Sequence, residues 1–213
     1  MYTPKHFVQD DFDSVHKFIL EHGFATIVAI DETGEPIINH IPVVFEGDSK
    51  EYLIGHMSKH NPQWLVFNKN PKAILVFHGP HSYITPKWYR SGRDVPTWNY
   101  TVVHLSGTIE LIEKFNDQVK ILQQITKHFE SFEKTQWIFE LPDDLLDPTS
   151  LTSAIVSFRF KINKTETKFK LSQNRSQDDQ QGIIQGLSER TDENSRLVRD
   201  LVLKNLNNKT QMR

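Results

Sequence analysis

The chain has 213 residues, enough for one large domain or two small ones, and at that size a core needs no metal or disulfide to hold it. Its 25 basic and 27 acidic residues give a formal charge of −2, which excludes a generally basic nucleic-acid coat and leaves only a local basic patch open. Cysteine is absent, so disulfides, thiolate catalysis and cysteine-held zinc or iron–sulfur centres are excluded; the composition fits the cytoplasm, and no apolar run nears the ~20 residues that cross a bilayer.

The opening residues carry no apolar signal core. Val15, Phe18 and Ile19 recur at helical spacing and predict a helix over 11–21, stopped at Gly23. A short apolar run over 25–30 leads into the turn Asp31-Glu32-Thr33-Gly34. Ile41, Val43 and Phe45 alternate with smaller or polar neighbours, as a half-buried strand does. Residues 46–50 are a second turn and 51–57 the returning strand, so two short connections in a row make an antiparallel meander. Asn61 then caps a short helix with Pro62 at its first position, and Asn70-Pro71 closes it. Residues 73–78 form a strand, an aromatic loop spans 79–100, and Val103, Leu105, Gly107, Ile109 and Leu111 resume the alternation.

Asn116 caps an amphipathic helix whose apolar stripe is Val119, Leu122, Ile125, Phe129 and Phe132. Val156, Phe158, Phe160 and Ile162 share one strand face, and Ser157, Arg159 and Lys161 the other. A last helix covers 188–206, after a low-complexity stretch at 176–181. About six strands joined mostly by short turns, with helices inserted, predict a mainly β (α+β) fold: an antiparallel barrel with peripheral helices. Strict strand–helix alternation and a glycine-rich phosphate loop are both missing.

Three segments carry candidate chemistry. In Gly55-His56-Met57-Ser58-Lys59-His60-Asn61-Pro62 a strand ends and a helix begins. Backbone N–H groups at a helix start, the Ser58 hydroxyl and the Lys59 ammonium suit a phosphate; equally, Asn61 caps the helix and Lys59 is solvated. The 79–100 stretch crowds Tyr83, Trp88, Tyr89, Trp98 and Tyr100, which fits a planar ligand, a partner subunit or a small local core. Lys170-Leu171-Ser172-Gln173-Asn174-Arg175 offers amides and hydroxyls that suit a heteroaromatic edge, or a solvated turn. His56 and His60 straddle a strand end and a helix start rather than one helix face, so no metal site is expected.

These blocks give the chain a family likeness. MYTPKHF at the start, NHIPVVF (39–45), GHMSKHNPQW (55–64), GPHSYITPKWY (79–89), VPTWNY (95–100) and KLSQNR (170–175) resemble the PaiB-like family of FMN-binding negative transcriptional regulators. The likeness runs over 1–187, taken as one FMN-binding domain, and leaves 188–213 as a C-terminal helix and polar tail. It implies a split β-barrel of the pyridoxamine-phosphate-oxidase type, working as a homodimer with FMN between the subunits. It also implies that His56, Ser58, Lys59 and Asn61 hold the phosphate, with Asn39 and His40 from the preceding strand. Arginine is common in the wider fold where this chain has Asn39-His40. Thr97, Trp98, Asn99 and Tyr100, with Ser172, Gln173 and Arg175, would approach the cofactor from one or both subunits.

Two functions follow from the likeness: a regulator that binds FMN, or a flavin-dependent oxidoreductase or haem-handling enzyme on the same scaffold. Direct DNA contact has weak support. The helix over 116–132 is not followed closely by a second helix across a short turn, and 188–213 is only slightly basic.

Overall fold

Period-two alternation of apolar residues builds most of the chain. The computed structural model describes residues 1–92, 95–143 and 147–211, without the side chains of Thr152 and residues 208–211. Six strands form a closed ring: β1 (Phe24–Ile30), β2 (Pro36–Phe45), β3 (Tyr52–Ser58), β4 (Lys72–Ile84), β5 (Thr97–Ile112) and β6 (Ile155–Lys170). Their order around the ring is β1-β2-β3-β6-β5-β4, the antiparallel barrel that the sequence predicts. β1 pairs with β2 from Phe24 opposite Pro42 to Ile30 opposite Pro36, and its other edge pairs with β4, which closes the ring. The helices are α1 (Phe12–Glu21), α2 (Gln63–Phe67), α3 (Phe115–Glu130), α4 (Pro148–Ala154), α5 (Gln177–Ser188) and α6 (Glu193–Gln211). Among the described residues no helix is long and apolar enough to cross a membrane.

The chain divides into two compact units. One holds His16–Phe77 and His104–Thr165; the other holds Met1–Val15, His78–Val103 and Glu166–Arg213. The end of the predicted 1–187 domain falls within the second unit, one residue before α5 stops.

In the first unit, Ile27, Leu53, Leu75, Phe77, Leu105, Phe158 and Phe160 are fully buried. Gly55 lies opposite Phe158 in the β3–β6 register, and a Cβ there would overlap that ring. A Cβ on Gly107 would overlap the Phe160 ring and the Lys161 carbonyl. Phenylalanine thus fills the space that glycine vacates, and Ser157 and Arg159 take the other face of β6. On that outer side Val44 and Ile54 pack against Ile121 and Ile125 of α3.

Several local expectations shift. Strands β2, β4, β5 and β6 run longer than the pattern suggested, because a chain inside a closed ring keeps pairing beyond its apolar run. Gly23 is not a left-handed stop, since its φ is not positive; it lets the Val43 carbonyl approach to 2.9 Å of where a Cβ would stand. Asn116 does not cap α3, whose cap position is Lys114. The buried residues of α3 are Gln118, Ile121 and Ile125, while Phe132 is 60% exposed, so the helix is rotated from the predicted stripe.

In the second unit the expected 79–100 loop is narrower than the sequence suggests, because β4 continues to Ile84 and β5 begins at Thr97. Its aromatics divide. Tyr89 joins Ile84, Leu171, Ile183, Leu187, Val198 and Val202 in a local core with Trp88 packed against it. Trp88 lies where Gly182 and Gly186 leave no room for a Cβ, and Arg190 covers its ring at 4.6 Å. The low-complexity stretch proves to be the start of α5, capped by Ser176 accepting from the Asp179 N–H.

Gly107→Ala should destabilise the protein by about 3 kcal/mol, since backbone and a buried ring must both move. Gly34→Ala, in an open turn at φ 91°, should cost only about 1 kcal/mol of backbone strain. Urea-unfolding midpoints measure both, and equal shifts would contradict the interior packing.

Candidate functional site

The end of β3 leads straight into the first group of site residues. Ser58 closes the strand, and the Lys59 N–H donates to the Ala154 carbonyl at 2.9 Å. The loop then satisfies itself. The His60 N–H donates to Ser58 Oγ at 3.2 Å, the Asn61 N–H to the Ser58 carbonyl at 3.0 Å, and the Gln63 N–H to Asn61 Oδ1 at 3.0 Å. Asn61 accepts the N–H of the first helical residue, but α2 starts one residue later than the sequence suggests, with Pro62 rather than Asn61 at its cap position. The N–H groups of His60, Asn61 and Gln63 are consumed, and α2 is only five residues long, so its dipole is small. What remains for an anion is side-chain chemistry: the exposed Ser58 hydroxyl and Lys59 ammonium. Lys59 makes no ion pair among the described residues, and its Nζ stands 4.0 Å from the Trp64 ring centroid.

The Asn39 amide donates within the protein. Its Nδ2 donates to Gln63 Oε1 at 3.0 Å and to Asn61 Oδ1 at 3.4 Å. Gln63, fully buried, spends its own amide on the Ile37 carbonyl at 3.0 Å. It is the hub that ties β2 to α2, and sequence reading missed it although it lies inside the GHMSKHNPQW block. His40 follows Asn39 on the strand and so takes the opposite face, exposed, with its ring 6.2 Å from that of Phe24.

His56 sits on β3 on the same face as Ile54, opposite Ser157 on β6. Its Nδ1 and the Ser157 hydroxyl are both buried without a hydrogen-bond partner. Loss of hydration holds the His56 pKa below the ordinary histidine value of about 6.5. His22 is lowered by the same cause, with Glu21 opposing.

The second group lies in the other unit. Asn99 is fully buried; its Oδ1 accepts from Ser172 Oγ at 3.0 Å and its Nδ2 has no partner. Ser172 is the non-glycine residue with positive φ, 59°, among the described residues, which is a strained conformation for a side-chain-bearing residue. Lys170 bonds Thr97 Oγ1. Gln173 is turned back on the chain, donating to the Phe169 carbonyl at 2.6 Å and accepting from the Leu171 N–H at 2.7 Å. The Arg175 guanidinium lies 4.9 Å from the Tyr89 ring, and Lys168 Nζ 5.5 Å from the Tyr100 ring. Trp98 is 52% exposed and meets Tyr83 edge-on at 5.9 Å. Asn99, Ser172, Thr97 and Lys170 are thus brought together, whereas Trp98 and Tyr100 face other neighbours. No group of three potential metal ligands exists among the described residues.

The linkage of His56 predicts a pH effect. Between the lowered folded-state pKa and 6.5 the unfolded chain takes a proton that the folded chain refuses. Stability is therefore complete above that window and falls as pH drops through it. His56→Gln should lose less stability than the wild type between pH 7.5 and pH 5.5 in urea titrations; equal losses would contradict the assignment.

A family model described as "Putative FMN-binding domain" matches residues 1–164. The "Protease synthase and sporulation protein PAI 2" of Bacillus subtilis (strain 168) is 33% identical over 211 residues, 95% of this chain and 96% of that protein. Among solved structures, the flavocytochrome Anf3 from Azotobacter vinelandii is similar with a TM-score of 0.58 at 13% identity, covering 79% of this chain and 72% of that one. The FAD and heme binding protein from Mycobacterium smegmatis has a TM-score of 0.57 at 14% identity, covering 74% and 70%. At such identity the two structures are likenesses of fold.

Proposed function

The chain belongs to this FMN-binding, PaiB-like family, and from that premise we propose that it binds FMN as a cytoplasmic homodimer and acts as a negative transcriptional regulator. One observation carries the cofactor reading: at the end of β3 an exposed serine is followed directly by an exposed lysine that makes no ion pair among the described residues, on a loop whose His60, Asn61 and Gln63 N–H groups are already hydrogen-bonded. Ser58 and Lys59 are the phosphate ligands of this reading. Asn39, Asn61 and Gln63 hold the loop in shape. Within the second unit, by itself, the half-satisfied amide of Asn99 and the strained Ser172 are a separate candidate for a hydrogen bond to a ligand. A buried amide left half-bonded costs about 1–3 kcal/mol, which a ligand hydrogen bond would recover. FMN, when bound, supplies whatever redox chemistry takes place.

The dimer reading is supported by the outer sheet face of the first unit. Val28 lies opposite both Ile38 and Ile74, and on that face Ile38 is 55%, Ile74 40%, Phe24 65% and Ile30 43% exposed. Val28, Ile30, Ile38 and Ile74 are an apolar patch of the kind that a two-fold contact covers, with Thr26 and His40 between it and Phe24. The aromatic stretch of 79–100, whose Trp98 is 52% and Tyr83 38% exposed, is a second apolar surface of the same kind. The regulator reading rests on the family likeness.

Lys59→Ala should weaken FMN about ten- to a hundredfold, the equivalent of roughly 1.5–3 kcal/mol for a charge-assisted hydrogen bond, and leave riboflavin unchanged. Flavin-fluorescence titrations of both ligands test this; equal losses, or none for FMN, remove Lys59 from the site. Ile38→Glu should convert a dimer into a monomer in light scattering at micromolar concentration. A wild-type monomer in the presence of FMN would overturn the dimer reading.

A further inference from the structure

Lys59 is held at three points, and two of them belong to one residue. Its N–H is fixed to Ala154 O at 2.9 Å. Its carbonyl accepts from Trp64 Nε1 at 3.0 Å, and its Nζ lies over the same indole, 4.0 Å from the ring centroid. Trp64 stands on the first turn of α2, five residues on, so the loop folds the indole back beneath the lysine. An exposed lysine ordinarily samples many rotamers and loses that freedom on binding an anion. Here the hydrophobic stem and the charge rest on a half-buried shelf, whose negative π face favours the ammonium without neutralising it. The hollow beside them, about 320 Å³, is also lined by Ile112, Glu113 and Gln118. Glu113 in its lining disfavours an anion inside that hollow.

We propose that Trp64 is the positioning residue of the phosphate site, fixing Lys59 through its backbone carbonyl and its ammonium at once so that the charge is pre-aimed. The inference rests on the FMN reading above and assigns to Trp64 a share of phosphate affinity that is exerted only through Lys59. The ammonium keeps its ring contact and offers its remaining N–H donors to the phosphate. The ligand class is a phosphate monoester, and the flavin ring plays no part in it.

The test is a double-mutant cycle read on two ligands, FMN and riboflavin, with urea midpoints recorded for each variant. Trp64→Leu removes both ties and should weaken FMN roughly three- to tenfold while leaving riboflavin unchanged. Trp64→Phe keeps a ring, drops the N–H donor and should fall between wild type and Trp64→Leu. In the Lys59→Ala background, Trp64→Leu should cause no further loss of FMN, because there is no ammonium left to aim. Three results overturn the proposal: an equal loss for FMN and riboflavin, an undiminished Trp64 effect without Lys59, or Trp64→Phe no better than Trp64→Leu. Should Trp64→Leu fail to fold, Trp64→Phe carries the same comparison alone and again in the Lys59→Ala background. Wild-type protein that binds riboflavin but shows no FMN preference removes the phosphate site while leaving a flavin site; wild type that binds neither removes both readings.

Discussion

Two phenylalanines on one strand, and the glycines that make room for them, govern the barrel. Phe158 and Phe160 are fully buried, and Gly55 and Gly107 lie against their rings. A ring of six strands leaves an interior just wide enough for side chains, so bulk on one strand demands its absence on the neighbours. That fit fixes β6 against β3 and so sets where β3 ends. β3 ends at Ser58, Lys59 follows it, and the last residue of α4, just before β6 begins, supplies the Ala154 carbonyl that pins the Lys59 N–H. The location of the charge thus follows from interior packing several residues away.

Around that charge the loop consumes its own polar groups. Four amide side chains or hydroxyls, those of Asn39, Asn61, Gln63 and Ser58, bond one another or nearby backbone. Such closure rigidifies a loop, and it restricts ligand recognition to the groups left over. The contrast with Asn99 is instructive. There a buried amide keeps an unused donor beside a serine held at positive φ, which is a cost that folding alone does not explain.

The barrel was legible in the sequence because its strands alternate cleanly and its turns are short. Val156, Phe158 and Phe160 already declared one face of β6, and Asp31 to Gly34 declared the first hairpin turn. Strand length was not legible. The polar residues Asn163 to Lys168 carry no apolar signal, yet they continue β6 as part of a ladder set by its neighbours. The rotation of α3 escaped for a related reason: Gln118 is buried because its amide reaches the Ile112 carbonyl at 3.0 Å, a partner that periodicity cannot reveal. α5 was hidden by composition, since Gln and Asp fill its first turns and only Ile183 and Leu187 mark its buried face. At the proposed site, motif reading singled out Ser58 and Lys59. It missed Gln63 and Trp64, whose roles depend on which backbone carbonyl each side chain can reach.

The central claim is that the β3–α2 loop holds a phosphate by side chains alone. The most direct measurement is a crystal structure of the protein with FMN. The account predicts phosphate density within hydrogen-bond distance of Ser58 Oγ and Lys59 Nζ, with Lys59 still over the Trp64 ring and the loop's internal hydrogen bonds intact. Phosphate density elsewhere, or a loop reopened so that the backbone N–H groups of His60 to Gln63 embrace it, would contradict the account.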